Sequence, residues 1–292
     1  MSSIAGLLLG CMARLPRWLL QWLGQVAGLV NHWFGTRAAL VTTANLEVCG
    51  QDSSLRRQSL IETGRTLFET PAVWLASTQK IDGWIGEVYG EEKLRSAIDS
   101  NRGLLVLLPH LGNWELFNVF FRRFGSMTAL YQPPRAAFMR PVMAAVRNRH
   151  GNEIVPTTRK GLARLYHCLN EGGTVVVLPD QVPATGRYVP FFGARALTDE
   201  LSVRLLRKTG AAALCASIIR RQDGRFDIRI MAPDPGIEDA DMDLALSAIN
   251  RTVEKAVRLE PAQYQWEYKR FRERPAGEAR IYRFGKPPSV HR

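Results

Sequence analysis

The sequence predicts an α/β fold: a single domain with a mostly parallel central sheet flanked by helices, plus an N-terminal membrane-associating helical segment. Three observations predict it. Residues 104–108 (LLVLL) and 174–178 (TVVVL) are uncharged and apolar or β-branched, as in strands buried on both faces. Between about residue 91 and residue 259, helical periodicity alternates with extended segments, the β-α-β alternation of a parallel sheet. The 292 residues allow one sizeable core, and no linker divides them.

Taken in order, residues 4–34 are rich in Leu, Trp, Val and Gly, but Arg14, Pro16 and Arg17 interrupt the apolar runs. No run reaches the roughly 18–20 residues of a confident membrane span. The charges follow the first apolar run, which argues against a signal peptide. Trp18, Trp22 and Trp33 with Arg14, Arg17 and Arg37 suit a membrane–water interface. The other reading is a pair of core helices joined at Pro16. Residues 1–38 form this segment and 39–292 the main domain. The stretch 36–50 takes no assignment. Residues 53–81 read as helical, with Leu55, Leu60, Ile61, Leu67 and Phe68 on one face and a second apolar segment after Pro71. Residues 83–90 make a short strand or loop, and 91–100 a charged amphipathic helix.

The strand at 104–108 ends at Pro109, which has no N–H for a sheet ladder. A turn at 111–113 leads into a helix from Trp114 through Phe121. A strand at 126–130, a basic helix at 140–149, an extended piece at 154–156 and a helix at 161–170 follow. After the strand at 174–178 come a helix at 202–209, stopped by Gly210, and a strand at 211–219. That strand turns by Gln222-Asp223-Gly224 into 225–231, and a long helix at 243–259 closes the pattern.

Lys and Arg number 39 against 27 Asp and Glu, a net charge of +12. Such a charge favours an anionic partner: nucleic acid, an anionic lipid surface, a phosphorylated substrate or an acidic protein. Cys11, Cys49, Cys168 and Cys215 lack C-x-x-C or zinc-ligand spacing and read as reduced thiols. No H-E-x-x-H pair occurs, so neither a metal nor a cofactor is expected.

The chemistry concentrates in GLLVLLPHLGNWELF, residues 103–117. His110 stands at a strand's carboxyl end, where open α/β sheets bind ligands. Glu115, five residues on, can fold back onto the imidazole. A carboxylate there fixes the tautomer and stabilises the imidazolium of a general base. No G-x-S-x-G elbow supplies a nucleophile, so the attacking hydroxyl belongs to a substrate. The plainer reading makes His110 a buried polar residue and Glu115 a favourable charge in a helix's first turn. The pair Arg159-Lys160, in a short loop before Gly161, suits a phosphate at a helix start, or a solvated basic face. Asp180-Gln181 after the second buried strand repeats the first block, and both strand ends then lie on one sheet edge. Alternatively Asp180 caps the following turn. Tyr264 to Pro275 (YQWEYKRFRERP) mixes aromatics with cations and, read alone, suits a single-stranded nucleic acid.

HLGNWE, with His110 and Glu115 in H-x-x-x-x-E spacing, resembles the first block of the lysophospholipid acyltransferase superfamily, and in particular the lauroyl/myristoyl branch of the bacterial lipid A secondary acyltransferases. DQ followed by VPFFG, with a turn at Phe191-Phe192-Gly193, resembles the third block, and QWEYKRFRERP the C-terminal tail of that branch. The likeness covers about residues 40–275 with all blocks in order. It implies His110 and Glu115 as catalytic residues and Arg159, with Arg147 as the weaker match, on the acceptor's polar group. It further implies Asp180, Gln181, Arg187 and Phe192 around the substrate groove. It implies acyl carrier protein as donor, a lipid A precursor as acceptor, no nucleic acid, and the cytoplasmic face of the bacterial inner membrane. The other expectations are acyl-CoA with a different lysolipid or glycolipid, or a non-catalytic lipid- or nucleic-acid-binding protein.

Overall fold

The computed structural model describes residues 4–131 and 151–284. Five helices come first: α1 (Ile4–Arg14), α2 (Arg17–Trp33), α3 (Arg37–Val48), α4 (Leu55–Leu75) and α5 (Thr78–Asp82). Pro16 divides the N-terminal segment into α1 and α2, two helices joined there as the other reading had it, because the ring fixes φ and the chain enters α2 extended. α3 occupies the unassigned stretch; Thr36 caps it by accepting from the Ala39 N–H. α4 runs through Pro71 without ending.

The alternating part supplies β1 (Ile85–Tyr89), α6 (Glu91–Asp99), β2 (Leu104–Leu107), α7 (Leu116–Phe121), β3 (Met127–Tyr131) and β4 (Glu153–Pro156). It continues with α8 (Arg159–Asn170), β5 (Thr174–Val177), β6 (Arg187–Phe191), β7 (Ala194–Thr198), α9 (Leu201–Thr209), β8 (Ala212–Arg220), β9 (Phe226–Met231) and α10 (Met242–Val257). Seven strands form one sheet in the order β1-β9-β8-β2-β5-β3-β4. Every neighbouring pair in it is parallel except the β8–β9 hairpin. β2 and β5 are direct neighbours near the middle, as the sequence suggested. The predicted turn at Phe192-Gly193 is the tip of a separate β6–β7 hairpin. The expected helix at 140–149 lies outside the described residues.

All four residues of β2 are buried, and the strand's pleat divides them between two cores. Leu105 and Leu107 pack with residues of α8 and α10, whereas Leu104, Val106 and Leu108 pack with α4 and the three phenylalanines of α7. The expected apolar face of α4 needs correction: Leu67 is exposed, while Glu62 and Glu69 are buried beside Leu60 and Ile61. Those carboxylates turn inward because a buried arginine meets them, as described below.

α2 lies against α4 through glycines. A Cβ on Gly24 or Gly28 would overlap the α4 backbone, and one on Gly64 would overlap Gly24. The crossing is therefore backbone to backbone, which leaves the other side of α2 uncovered. Trp18, Trp22, Val26, Val30 and Trp33 make an exposed apolar stripe along it. Among the described residues no helix is long and apolar enough to cross a membrane.

Candidate active site

β2 and β5 pair residue for residue, from Leu104 opposite Thr174 to Leu107 opposite Val177. Three residues beyond the last pair stand His110 on one chain and Asp180 on the other. Equal offsets on adjacent parallel strands bring the two side chains together. Asp180 Oδ1 lies 2.8 Å from His110 Nδ1, and Asp180 Oδ2 accepts from the His110 backbone N–H at 2.8 Å. One buried carboxylate thus holds both the ring and its backbone. Burial alone would raise the Asp180 carboxyl, but the His110 charge and these hydrogen bonds hold it below the usual range. The Tyr264 phenol beside it is pushed well above its ordinary value, first by burial and then by the Asp180 charge. With an ionised acceptor on Nδ1, the ring carries its proton there and keeps a lone pair on Nε2.

Nε2 faces the half-buried side. The Gln181 amide nitrogen is 3.0 Å from it and also donates to Gln265 Oε1 at 3.3 Å, so both amide hydrogens are spent. The Trp114 ring meets the imidazole edge-on, centroids 4.6 Å apart. The turn beyond His110 is gripped from both sides. Gly112 has φ +60, and a Cβ there would overlap the Ile218 carbonyl oxygen at the end of β8. Its N–H donates to the Gln263 carbonyl at 2.9 Å, so this group is not available to an oxyanion. Gln265 N–H donates to the His110 carbonyl at 3.1 Å. Tyr264, Trp266, Arg270 and Phe271 are buried, which makes the tail a strap under the active turn and removes the stacking surface a nucleic acid would need.

Glu115 does not make the expected contact. The Nδ1 position is filled by Asp180, because the strand pairing delivers that carboxylate while Glu115 sits at the start of α7 pointing elsewhere. Its Oε2 lies 3.4 Å from the Asn118 amide, and the Trp74 indole is close. Burial raises its carboxyl, against the indole hydrogen bond and the His110 charge. Glu267, which accepts from Thr63 at 2.9 Å, is likewise raised by burial within range of the His110 charge.

Arg159 is exposed at the start of α8, after β4. That is the correct sheet edge but three strands from β2, roughly 14 Å at the usual strand spacing. Arg147 lies outside the described residues. Arg187 forms surface ion pairs with Glu200 and Asp243. Phe192 packs on Phe191 and Trp266, and its N–H donates to Glu254 at 2.7 Å. No described contact joins Arg187 or Phe192 to His110. A groove of about 570 Å³ between α1 and the α4–α5 corner shares no residue with this site.

The sequence reading missed a buried ion cluster next to the turn. Arg220, the last residue of β8, bonds Glu62 and, at 2.6 Å, Glu69. Its signal was present: Glu62, Thr66 and Glu69 recur at helical spacing on the buried side of α4, where no charge belongs without a partner.

Residues 3–273 match the family model described as bacterial lipid A biosynthesis acyltransferase. The chain is similar to a lipid A biosynthesis palmitoleoyltransferase of Escherichia coli (strain K12), 29% identical over 280 residues, 92% of this chain and 90% of the relative. It is also similar to the lipid A biosynthesis lauroyltransferase of the same organism, 28% identical, 91% of this chain and 89% of the relative. A shorter likeness, 27% identical over 138 residues, 44% of this chain and 45% of the relative, joins it to a phosphatidylinositol mannoside acyltransferase of Mycolicibacterium smegmatis (strain ATCC 700084 / mc(2)155).

Proposed function

The chain belongs to the bacterial lipid A biosynthesis acyltransferase family, and we propose that it moves a fatty acyl chain from an acyl carrier protein thioester to a hydroxyl of a lipid A precursor. The observation that carries the mechanism is the clamp of Asp180 on His110 Nδ1. It leaves Nε2 as the base. An acceptor hydroxyl takes the place of the Gln181 amide at Nε2 and gives up its proton as its oxygen attacks the thioester carbonyl. The tetrahedral intermediate collapses, the C–S bond breaks, and the departing sulfur takes the proton from Nε2. No acyl-enzyme forms. Asp180 fixes the tautomer and stabilises the imidazolium, and Glu115 adds a second negative charge near the ring. Arg159 and Arg147 are assigned to the acceptor's phosphate, and Arg187 and Phe192 to the outer wall of the groove.

Charge and surface support the donor and the location, which the family likeness suggests. A net +12 suits an acidic carrier protein by electrostatic steering. Residues 1–38 act as the membrane-associating part, with the indoles of α2 at headgroup level, and 39–292 as the acyltransferase, on the cytoplasmic face of the inner membrane.

The test is acyl transfer from a panel of acyl–acyl carrier proteins and acyl-CoAs to a lipid A precursor, with wild type and His110→Ala in parallel. Product that falls by about 10²-fold or more in the variant supports the base. Product that survives in His110→Ala overturns it. Turnover only with acyl-CoA and a lysolipid or glycolipid would favour the second reading, to which the partial likeness to the mannoside acyltransferase gives weight.

A further inference from the structure

Among the described residues, Glu69 is a buried carboxylate that accepts four side-chain hydrogen bonds. It is fully buried on α4, and donors from three separate elements converge on it. Gln21 of α2 donates to Oε1 at 2.8 Å. Arg220 at the end of β8 donates to Oε1 at 2.8 Å and to Oε2 at 2.6 Å. Asn113, in the turn between His110 and Glu115, donates to Oε2 at 3.1 Å. Arg220 also bonds Glu62 and Thr66 of the same helix; burial is the largest single influence on its guanidinium and lowers it, but the charges and hydrogen bonds of the two glutamates together outweigh that and raise it.

Such a cluster is a poor way to make a core stable. Burying ions carries a large desolvation cost, and apolar groups of the same volume often do as well or better. What a fully bonded polar cluster does supply is one fixed geometry. The geometry fixed here is that of the active turn, whose Asn113 is itself wholly buried with its amide committed to Glu69.

We propose that the Glu62–Arg220–Glu69 cluster is the positioning device of the active site, and that Glu69 acts through Asn113 to set the His110–Glu115 turn. The assignment rests on the reaction proposed above for its kinetic consequence, but not for its structural one. Asn113→Ala cuts the last link and leaves the ion cluster whole, so the fold survives. Amide hydrogen exchange across residues 111–115 then speeds up about tenfold or more, while β5 exchanges as before. The turnover rate falls by tenfold or more with little change in KM for the acceptor.

Asn113→Asp gives a second, independent readout. A carboxyl in place of the amide donates to Glu69 only when protonated, and when ionised it repels it. Its activity relative to wild type at the same pH therefore rises as pH falls from 8 to 5. A merely structural Asn113 predicts a flat ratio.

Unchanged exchange in the turn of Asn113→Ala, or a flat ratio for Asn113→Asp, overturns the proposal. Faster exchange with an unaltered turnover rate also overturns it, provided His110→Ala is inactive in the same assay. If His110→Ala is active, the reaction reading fails instead, and the exchange data alone decide whether Glu69 holds the turn.

Discussion

The loops after β2 and β5 begin alike and end differently. Each follows a buried apolar strand, each has proline where the ladder stops, and each places its first polar group three residues past the last paired position. The loop after β2 then bends sharply at Gly112 and carries His110 and Glu115. The loop after β5 offers Asp180 and Gln181, whose side chains take the two nitrogens of the His110 ring. In the proposed reaction, one loop brings the base and the other the groups that hold its ring. The carboxylate on the ring, which spacing within one loop suggested, comes instead from the second loop, and the strand register makes the join.

The largest effect expected on the β5 side comes from Asp180→Asn. An amide has one acceptor oxygen for two donors, the ring and the His110 N–H, and its own N–H group faces one of them. We expect a loss on the order of 10⁴-fold in kcat, in line with what a wrong tautomer costs a comparable histidine. Acid unfolding gives the matching stability test. A carboxyl held below its unfolded value contributes stability that is present above about pH 4 and is lost as pH falls through the lower, folded value. The difference in unfolding free energy between wild type and variant should shrink on acidification below about pH 4. A difference independent of pH would mean that Asp180 is not ionised against His110.

On the β2 side the next largest effect is structural. Gly112→Ala asks an L-residue to adopt a left-handed conformation, about 1–2 kcal/mol, and also drives a methyl into the Ile218 carbonyl. We expect about 3 kcal/mol in all, from strain and displaced backbone. The readout is thermal unfolding beside Gly193→Ala, where no atom lies within 4 Å of the added carbon. Equal losses in the two variants would show that the close packing of the turn contributes nothing.

The part of this site that a sequence shows and the part it hides follow from the same physics. Leu104 to Leu107 and Thr174 to Val177 were legible as strands because burial on both faces leaves no charged residue in them. Their adjacency was legible because two like strand ends imply one edge. The tip of the β6–β7 hairpin was legible in Phe192-Gly193, but its detachment from the main sheet was not. The partner of Nδ1 stayed hidden because pairing is set by register over 70 residues, not by local spacing. The ion cluster stayed hidden for a related reason: Arg220 ends an otherwise apolar strand, and only the tertiary fold brings α4 over it. α3 was missed because its two outward faces dilute the period; Leu40 is exposed while Thr42 and Asn45 are buried.

Two smaller changes separate the remaining members of the two loops. Glu115→Gln removes a charge that sits near the ring without bonding it. Because it does not bond the ring, its loss should lower kcat on the order of tenfold only, far less than the loss of the Asp180 carboxylate. A loss as large as that of Asp180→Asn would return Glu115 to the role of orienting the ring and would break the division between the loops. Gln181→Met has the smallest expected effect, and its sign is the informative part. The Gln181 amide nitrogen lies 3.0 Å from Nε2, the place the proposed reaction gives to the acceptor hydroxyl. A thioether of similar length cannot donate there, so the acceptor has one fewer hydrogen bond to displace, a net of about 1 kcal/mol. We expect KM for the acceptor to fall a few-fold with kcat nearly unchanged. A rise in KM would mean that the amide, once displaced, holds the acceptor rather than merely guarding the base.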